Sequence, residues 1–312
     1  MLILAGIDEA GLGPRLGPLV TSSAALEVPE DWTPDMPWKR LSRVARRPPL
    51  RQADLLTVAD SKIAYQYGGL AILELAVGAF SRLANDKFNP LISVSGETDD
   101  PPAHACYRHA CRKFPITCGK NELETIADTL ANALDMAGAK VAHLESAVLF
   151  EPSLNRRFAA GLNKNQALLK ETGRHLRRLA ERFANHPLLV MVDKQGGRND
   201  YLPLLSEIFP GVWLDTLIAG DAISRYRLRR EGTPIEICFQ AKADQDAFCV
   251  SLASMAAKYV RERYIAGLNA WFGRRIPGIR PTAGYPLDAA RWLADVASAG
   301  SSWNLESLLR ER

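Results

Sequence analysis

The stretch LILAGIDEAGLGP, residues 2–14, decides how this chain folds at its start. Its apolar half, Leu2 to Ile7, predicts a buried strand. Asp8 and Glu9 follow at the carboxyl end of that strand, and hard divalent cations prefer such oxygen ligands. The next residues form a turn that can bend sharply and approach a ligand, since they include Gly11, Gly13 and Pro14. We expect metal-assisted phosphate chemistry here, although these residues alone also fit a strand with a polar turn.

The composition is that of an ordinary globular protein. The 312 residues are 47% hydrophobic and 24% charged, which suffices for one elaborated domain or two small ones. No apolar run reaches the ~18 residues that a membrane span needs, and the start of the sequence lacks a basic segment leading into a cleavable signal. Five cysteines at irregular spacing favour a reducing compartment over a disulfide framework. These features predict a cytoplasmic chain that does not associate with membranes.

The net charge is +4 at pH 7, but the basic residues are clustered. One cluster contains no acid and consists of Lys39, Arg40, Arg43, Arg46, Arg47 and Arg51. It favours a polyanionic partner, although a solvated surface would have the same composition. Five prolines in residues 29–49 predict a loop or an inserted arm outside the core.

Strand and helix patterns alternate along the chain without a regular repeat. Strands are predicted at 19–28, 91–94, 141–150, 187–192, 222–228 and 234–240, and helices at 70–83, 121–137, 154–183, 202–208, 246–268 and from 286 onward. The glycine turn suggests an antiparallel hairpin of the first two strands, and the run at 187–192 fits a central strand. The pattern predicts an α/β fold, a mixed sheet flanked by helices with a helical C-terminal extension.

Two further acids occupy positions that are typical of active sites. Asp193 ends the apolar run at 187–192, and Asp244 lies between a predicted strand and a predicted helix. With Asp8 and Glu9 they make four carboxylates, which repel one another unless cations neutralise them. Two divalent ions about 4 Å apart would neutralise the acids and activate water for attack on a phosphodiester. The acids most easily mistaken for members of this group are Asp221 and Asp246.

Six short motifs follow one another along the chain. They are Asp8-Glu9-Ala10-Gly11-x-Gly13-Pro14, Asp60-Ser61-Lys62, Asp193, Lys242-x-Asp244, Ser251-x-Ala253-Ser254-x-x-Ala257-Lys258 and Gly284-Tyr285-Pro286. In this order and spacing, the chain resembles a type 2 ribonuclease H, the ribonuclease HII family. The resemblance covers about two-thirds of the chain, and each motif is weak on its own. Residues 29–49 and about 86–140 read as insertions.

The resemblance implies a ribonuclease H-like fold with a catalytic core at residues 1–268 and a helical extension at 269–312. It implies metal-dependent endonucleolytic hydrolysis of the RNA strand of RNA–DNA hybrids, leaving 5′-phosphate and 3′-hydroxyl ends. Family members can also cut at ribonucleotides embedded in DNA. The implied ligands of a two-metal site for Mg²⁺ or Mn²⁺, which are also the catalytic acids, are Asp8, Glu9, Asp193 and Asp244. A monomer is expected.

Contacts with the nucleic acid are implied as well. Backbone groups of the glycine turn would meet the 2′-hydroxyl, and serine and lysine side chains would hold phosphates without reading sequence. A tyrosine would pack on the sugar beside the scissile junction. The residues implied in this interface are Gly11, Leu12, Gly13, Ser61, Lys62, Ser254, Lys258 and Tyr285.

The chain departs from the family pattern at two positions. Leu12 stands where the family has arginine, and Lys194 stands where it has glycine. Leucine cannot donate a hydrogen bond to a phosphate, so cutting at isolated ribonucleotides is the activity most affected. A lysine beside the metals would either contact a phosphate or disturb metal binding.

Three other interpretations stay open on the sequence. The chain would be a nucleic-acid-binding protein of the same fold with weak or silent catalysis, a structure-specific DNA nuclease, or a purely structural α/β domain. The second insertion also raises the possibility of structural zinc, because imidazole and thiolate groups bind it. The spacing does not match a zinc finger, and small buried cysteines explain it more simply. The residues concerned are His104, Cys106, His109, Cys111 and Cys118.

Overall fold

A computed structural model describes residues 1–48, 55–84, 105–108, 114–195, 197–229, 233–300, 303 and 305–311. In these residues the strands are β1 (Leu2–Ala10), β2 (Leu19–Val28), β3 (Ala45–Arg46), β4 (Leu56–Thr57), β5 (Lys140–Leu149), β6 (Leu188–Asp193), β7 (Trp213–Ala219), β8 (Ile223–Arg229) and β9 (Ile235–Gln240). The helices are α1 (Met36–Arg40), α2 (Ser61–Ala84), α3 (Ala105–Arg108), α4 (Lys120–Met136), α5 (Glu151–Ala159), α6 (Lys164–Arg182), α7 (Leu202–Ile208), α8 (Ala243–Asp246), α9 (Phe248–Gly273) and α10 (Pro286–Ser298). A 3₁₀ turn, Glu306–Leu308, follows them.

A mixed sheet of seven strands organises the described residues, in the order β5-β2-β1-β6-β9-β8-β7. β1 pairs antiparallel with β2 and parallel with β6, and β6 pairs parallel with β9. The predicted hairpin and the predicted mixed sheet are therefore confirmed. Since β1, β6 and β9 run in the same direction, their carboxyl ends meet at one edge, where the site is built.

Helices cover both faces of the sheet. α9 packs across β1 and β2, with α2 against its outer side, and α6 packs on the other face of the same strands. The predicted helical C-terminal part is present as α10 and the 3₁₀ turn, where Trp292 and Leu308 are buried in the main core. The predicted boundary at residue 268 falls inside α9, which continues to Gly273.

The prediction that residues 29–49 lie outside the core is wrong. Trp32, Leu41 and Val44 are buried in the main core, and β3 pairs with β4. The indole Nε1 of Trp38 donates to the carbonyl of Val58 at 2.8 Å. The prolines mark turns in this segment, while its apolar side chains fill space against α9.

One predicted helix is divided in two, and one strand of the seven-stranded sheet was not predicted. The helix predicted at 154–183 is two helices, because the chain turns at Gly161 (φ +89°) and Asn163 then caps α6, accepting from the N–H of Gln166 at 2.9 Å. Strand β7 was not predicted; it is a largely exposed edge strand without a continuous apolar face. The predicted strand at 91–94 lies outside the described residues.

By length and composition, one helix in the described part of the chain, α2, would be able to cross a membrane. Its contacts are those of a core helix. Leu73, Val77 and Phe80 are fully buried in the main core. Glu74 in its middle accepts hydrogen bonds from the N–H of Ile116 at 2.9 Å and the hydroxyl of Tyr259 at 2.6 Å.

A buried histidine pair makes stability depend on pH. The hydroxyl of Ser23 lies 2.9 Å from His143 Nε2 and 2.9 Å from His175 Nδ1, and burial lowers the pKa of each histidine to about 3. In the unfolded chain each histidine takes up a proton below its ordinary pKa of 6.5, whereas in the folded chain it stays neutral to a much lower pH. The contribution of the pair to the free energy of unfolding is therefore complete above pH 6.5 and is lost as the pH falls. We expect the pair to add up to about 2.7 kcal/mol per pH unit to the slope of the unfolding free energy between roughly pH 4 and 6.

Urea unfolding across this pH range measures the slope. His143→Gln should remove about half of the pair's contribution to this slope. His186→Gln, which changes a histidine outside the pair, should leave the slope unchanged. An unchanged slope in His143→Gln would show that these histidines titrate normally.

Candidate active site

The four predicted acids lie at the carboxyl ends of adjacent parallel strands. Asp8 and Glu9 lie within the last three residues of β1 and not beyond its end, because β2 pairs with β1 along the full length of β1. Asp193 is the last residue of β6, and Asp244 lies in α8, a few residues after β9.

Of the two acids of β1, Asp8 is buried and Glu9 is half-buried. Asp8 is 9% exposed, and its Oδ1 accepts a hydrogen bond from the N–H of Glu9 at 2.8 Å. Burial raises the pKa of Asp8 well above its ordinary range, and the charges of Glu9 and Asp193 add to this. Burial also raises the pKa of Glu9. The charged forms of these acids therefore need a compensating cation.

A left-handed residue shapes the second half of the acid group. Lys242 has φ +57°, and the turn there places the N–H of Ala243 2.9 Å from Asp193 Oδ1. Burial raises the pKa of Asp193, against the effect of hydrogen bonds from Ala243, Lys242 and Lys194. The pKa of Asp244 rises to about 6 through burial and the nearby charges of Asp60 and Asp193.

Asp60 is an acid of this group that the sequence reasoning did not include. It shares a side-chain hydrogen bond with Asp244, and its Oδ1 accepts from the N–H of Lys62 at 2.7 Å at the start of α2. The available signal was its place in the motif Asp60-Ser61-Lys62. The two acids named as easily mistaken for members of the group have other partners: Asp221 accepts from Asn199, and Asp246, at the end of α8, accepts from Gln240 Nε2 at 2.7 Å.

The chemistry of the acids fits Mg²⁺ or Mn²⁺. All are carboxylate oxygens, and their pKa values are raised by burial, with mutual repulsion adding at Asp8, Glu9 and Asp244, despite the nearby charge of Lys62. Within the described ranges, no three His, Cys, Asp or Glu side chains converge closely enough to hold an ion as they stand. The fit therefore rests on the type of donor, the carboxylate oxygen.

A groove of about 210 Å³ adjoins the acids. It contains seven of the eight residues predicted to contact nucleic acid, together with one of the acids. Its lining residues are Glu9, Ala10, Gly11, Leu12, Gly13, Pro14, Ser61, Lys62, Lys258, Arg261 and Tyr285. Ser254, the eighth, is 3% exposed; its hydroxyl oxygen lies 3.0 Å from Ser61 Oγ, and the hydroxyl also forms a hydrogen bond with Asp8. Its phosphate contact stays a prediction.

The basic and aromatic side chains of the groove are held in different ways. Lys62 is exposed, while Lys258 Nζ lies 2.9 Å from Glu262 Oε1 and 4.8 Å from the ring centre of Tyr65. Tyr285 is 49% exposed and lines the groove. Arg261, one helical turn beyond Lys258 on α9, is buried below the glycine turn and lies 5.8 Å from the ring of Tyr285.

Both residues that depart from the family pattern, Leu12 and Lys194, have defined contacts. Leu12 is half-buried and packs on a small apolar cluster that includes Leu19 and Phe158. Lys194 Nζ donates to Asn199 Oδ1 at 2.9 Å and to the carbonyls of Gly220 and Asp221. The lysine is thus held by the turn at residues 220–221.

Of the suggested zinc ligands, the described ones are Cys106 and Cys118. Burial raises the pKa of both thiols, that of Cys118 to about 12. His104, His109 and Cys111 lie outside the described residues, so the zinc hypothesis stays untested.

The basic cluster borders the acids. The guanidinium of Arg47 stacks 3.6 Å from the ring centre of Trp38 and donates to the carbonyl of Gln245, next to Asp244. Arg40 and Arg43 are exposed, and Arg51 lies outside the described residues.

We expect Arg40→Gln with Arg43→Gln to flatten the salt dependence of duplex binding, because each lost phosphate contact lowers the slope of log K against log salt by about 0.9. Binding titrations at several salt concentrations measure this. Arg82→Gln, which removes a surface arginine paired with Glu124, is the matched control. A slope equal to that of the wild type would exclude phosphate contacts for this pair.

No protein-family model and no curated protein matches the chain. Solved structures with a similar arrangement include RNase HII in the PCNA:RNase HII complex from Archaeoglobus fulgidus, with 18% identity, 99% of this chain and 94% of that chain covered, and a TM-score of 0.46. Ribonuclease H2 from Pyrococcus horikoshii OT3 has 18% identity, 99% and 92% coverage and a TM-score of 0.45. Bst-RNase HIII in complex with Mn²⁺ has 16% identity, 99% and 66% coverage and a TM-score of 0.46.

Proposed function

We propose that this protein is a metal-dependent endonuclease of the type 2 ribonuclease H kind that hydrolyses the RNA strand of RNA–DNA hybrids. One observation carries the proposal: motifs scattered along the whole chain meet at one edge of the sheet. The acids end β1 and β6 and follow β9, and the glycine turn forms a groove beside them. Glu9 belongs to both the acid group and the groove.

The groove suits a nucleic-acid backbone. Lys62 and Lys258 supply positive charge for phosphates, and the exposed ring of Tyr285 supplies an apolar face for a sugar. The backbone of the glycine turn lines the groove and would meet the 2′-hydroxyl, the group that distinguishes RNA from DNA. None of these groups reads base edges, so we expect cleavage without sequence preference.

The acids would hold Mg²⁺ or Mn²⁺, which neutralises charge and makes an activated water available for phosphodiester hydrolysis. The chain prepares its carboxylates for that role. The N–H of Glu9 orients Asp8, and the N–H of Ala243 orients Asp193. Because burial raises the pKa of each acid, they retain protons more readily in the metal-free protein, and metal binding should release protons.

The surroundings of Leu12 favour a narrow substrate range. Its side chain packs on apolar neighbours and offers no donor to a phosphate. We therefore propose that the enzyme cuts stretches of RNA in a hybrid more readily than a single ribonucleotide within DNA.

A cleavage assay on three matched duplexes, with Mg²⁺ and then Mn²⁺, tests the function. The duplexes are a full RNA–DNA hybrid, a DNA duplex with one ribonucleotide, and an all-DNA duplex. We expect cutting of the hybrid, weaker cutting at the single ribonucleotide and none of the DNA. Cutting of the all-DNA duplex would favour a structure-specific DNA nuclease, and binding without cutting would favour a catalytically silent binder.

A further inference from the structure

An arginine from the end of the described chain holds the carbonyl groups of the glycine turn. Arg310 is 2% exposed. Its Nη1 donates to the carbonyl of Gly11 at 2.5 Å, and its Nε donates to the carbonyl of Gly17 at 3.0 Å. Its Nη2 donates to the carbonyl of Gly17 as well. One guanidinium thus spans the two ends of the turn that contributes to the groove.

The main chain around Arg310 is also attached to this turn. The N–H of Arg310 donates to the carbonyl of Arg15 at 3.0 Å, and Leu309 forms an antiparallel bridge with Leu16. Asn155 of α5 secures the segment from the other side, since its Nδ2 donates to the carbonyl of Leu309 at 2.7 Å. Leu309 and Arg310, which follow the 3₁₀ turn, therefore lie against residues 15–16.

A buried acid completes the arrangement. Glu151 is fully buried, and its Oε1 accepts hydrogen bonds from the N–H of Gly17 at 2.8 Å and the hydroxyl of Tyr107 at 2.6 Å. Burial lowers the pKa of Arg310 to about 10, and the nearby charge of Glu151 opposes that change. Gly17 therefore donates its N–H to the carboxyl group of Glu151 and accepts at its carbonyl from the guanidinium of Arg310.

We propose that Arg310 is a positioning residue that sets the orientation of the Gly11–Leu12 peptide for substrate. The peptide is trans, so when Arg310 holds the carbonyl of Gly11, the N–H of Leu12 points to the opposite side of the chain. Gly11 and Leu12 line the groove, where this donor would meet the sugar or phosphate. The functional half of this inference rests on the proposed function of the groove; the contacts themselves do not.

The contact requires arginine. A guanidinium presents its donors in a rigid fork that reaches two separate carbonyl oxygens at once, whereas a lysine ammonium is a compact charge on a flexible stem. Arg310→Lys keeps the charge and most of the apolar stem while losing the fork. Arg82→Lys, in a surface ion pair with Glu124, makes the same chemical change away from the site.

Hydrogen exchange tests the contact without reference to activity. The N–H groups of Arg15, Leu16 and Gly17 are hydrogen-bonded in the folded chain. We expect Arg310→Lys to speed their exchange about tenfold or more, while Arg82→Lys leaves it unchanged and circular dichroism shows both variants folded. Exchange at the wild-type rate in Arg310→Lys would overturn the proposal.

Steady-state cleavage of the RNA–DNA hybrid tests the consequence. A misplaced turn should lower kcat about tenfold or more and change KM by less than about threefold, because much of the duplex affinity comes from charge elsewhere. Guanidinium ion added to Arg310→Ala should restore both slow exchange and kcat, and ethylammonium should restore neither.

Faster hydrogen exchange in Arg310→Lys with an unchanged kcat would show that the contact is structural only, and it would overturn the positioning role. If the wild type cuts no duplex, the proposed function fails while the exchange experiment still decides the contact. If Arg310→Lys does not fold, recovery of protected amides in Arg310→Ala with guanidinium supports the contact, and no recovery overturns it.

Discussion

Asp193→Asn should lower the rate of hybrid cleavage by at least about 10³-fold, roughly 4 kcal/mol of activation free energy, while hybrid binding changes by less than about twofold. Asparagine keeps an oxygen that accepts from the N–H of Ala243, so the turn at Lys242 should keep its shape. It loses the negative charge that the acid group needs to hold a divalent cation. Single-turnover cleavage and a binding titration measure the two effects.

The same substitution should not weaken the fold. Burial raises the pKa of Asp193, so its ionised form opposes folding above the ordinary pKa, and a neutral side chain removes that cost at pH 7. Asp246→Asn is the matched control, because Asp246 is exposed and accepts from Gln240. Equal loss of cleavage in both variants would contradict the assignment of Asp193.

Gly6→Ala should destabilise the protein by at least about 3 kcal/mol or prevent folding. A Cβ at Gly6 would lie 2.2 Å from the backbone nitrogen of Val250 and 2.3 Å from the carbonyl carbon of Cys249. Both atoms belong to the main chain of α9, which cannot yield as a flexible side chain would. β1 and α9 would have to separate across the main core, at the strand that carries the first two acids.

Urea unfolding measures the effect. In Gly220→Ala the nearest atom to the new Cβ would be 3.5 Å away, an ordinary contact, so the midpoint should stay close to that of the wild type. A Gly6→Ala protein with the wild-type midpoint would contradict the close packing of α9 on β1.

The sequence was most informative where local pattern and tertiary role agree. The apolar run before Asp193 predicted a central strand, and β6 indeed pairs on both sides. The prediction for the first strand stopped too early, because polarity at Asp8 and Glu9 suggested an end. The pairing of these residues with Ser22 and Thr21 in β2 outweighs that local signal.

Long-range packing limited the rest of the fold prediction. The prolines of residues 29–49 suggested an exposed arm, but proline reports backbone turns and not burial. Trp32 and Leu41 are buried because α9 and α2 lie nearby, which no local pattern reveals. Strand β7 escaped detection for the opposite reason, since an exposed edge strand needs no apolar alternation.

In the groove, too, local motifs could be predicted from the sequence and long-range contacts could not. Eight of its residues, Glu9 among them, could be named from motifs, because each motif is short and ordered along the chain. Asp60 adjoins a motif and was within reach of the same reasoning. Arg310 had no sequence signal, because its contacts with Gly11 and Gly17 join opposite ends of the chain.

Mass spectrometry of the products of one RNA–DNA hybrid, digested with Mg²⁺ by the wild type and by Asp8→Asn, tests the role of the acid group most directly. We expect RNA fragments with 3′-hydroxyl and 5′-phosphate ends from the wild type, an intact DNA strand, and no fragments from Asp8→Asn. Fragments of the DNA strand, RNA fragments with 2′,3′-cyclic phosphate ends, or equal cutting by Asp8→Asn would contradict metal-assisted hydrolysis at these acids.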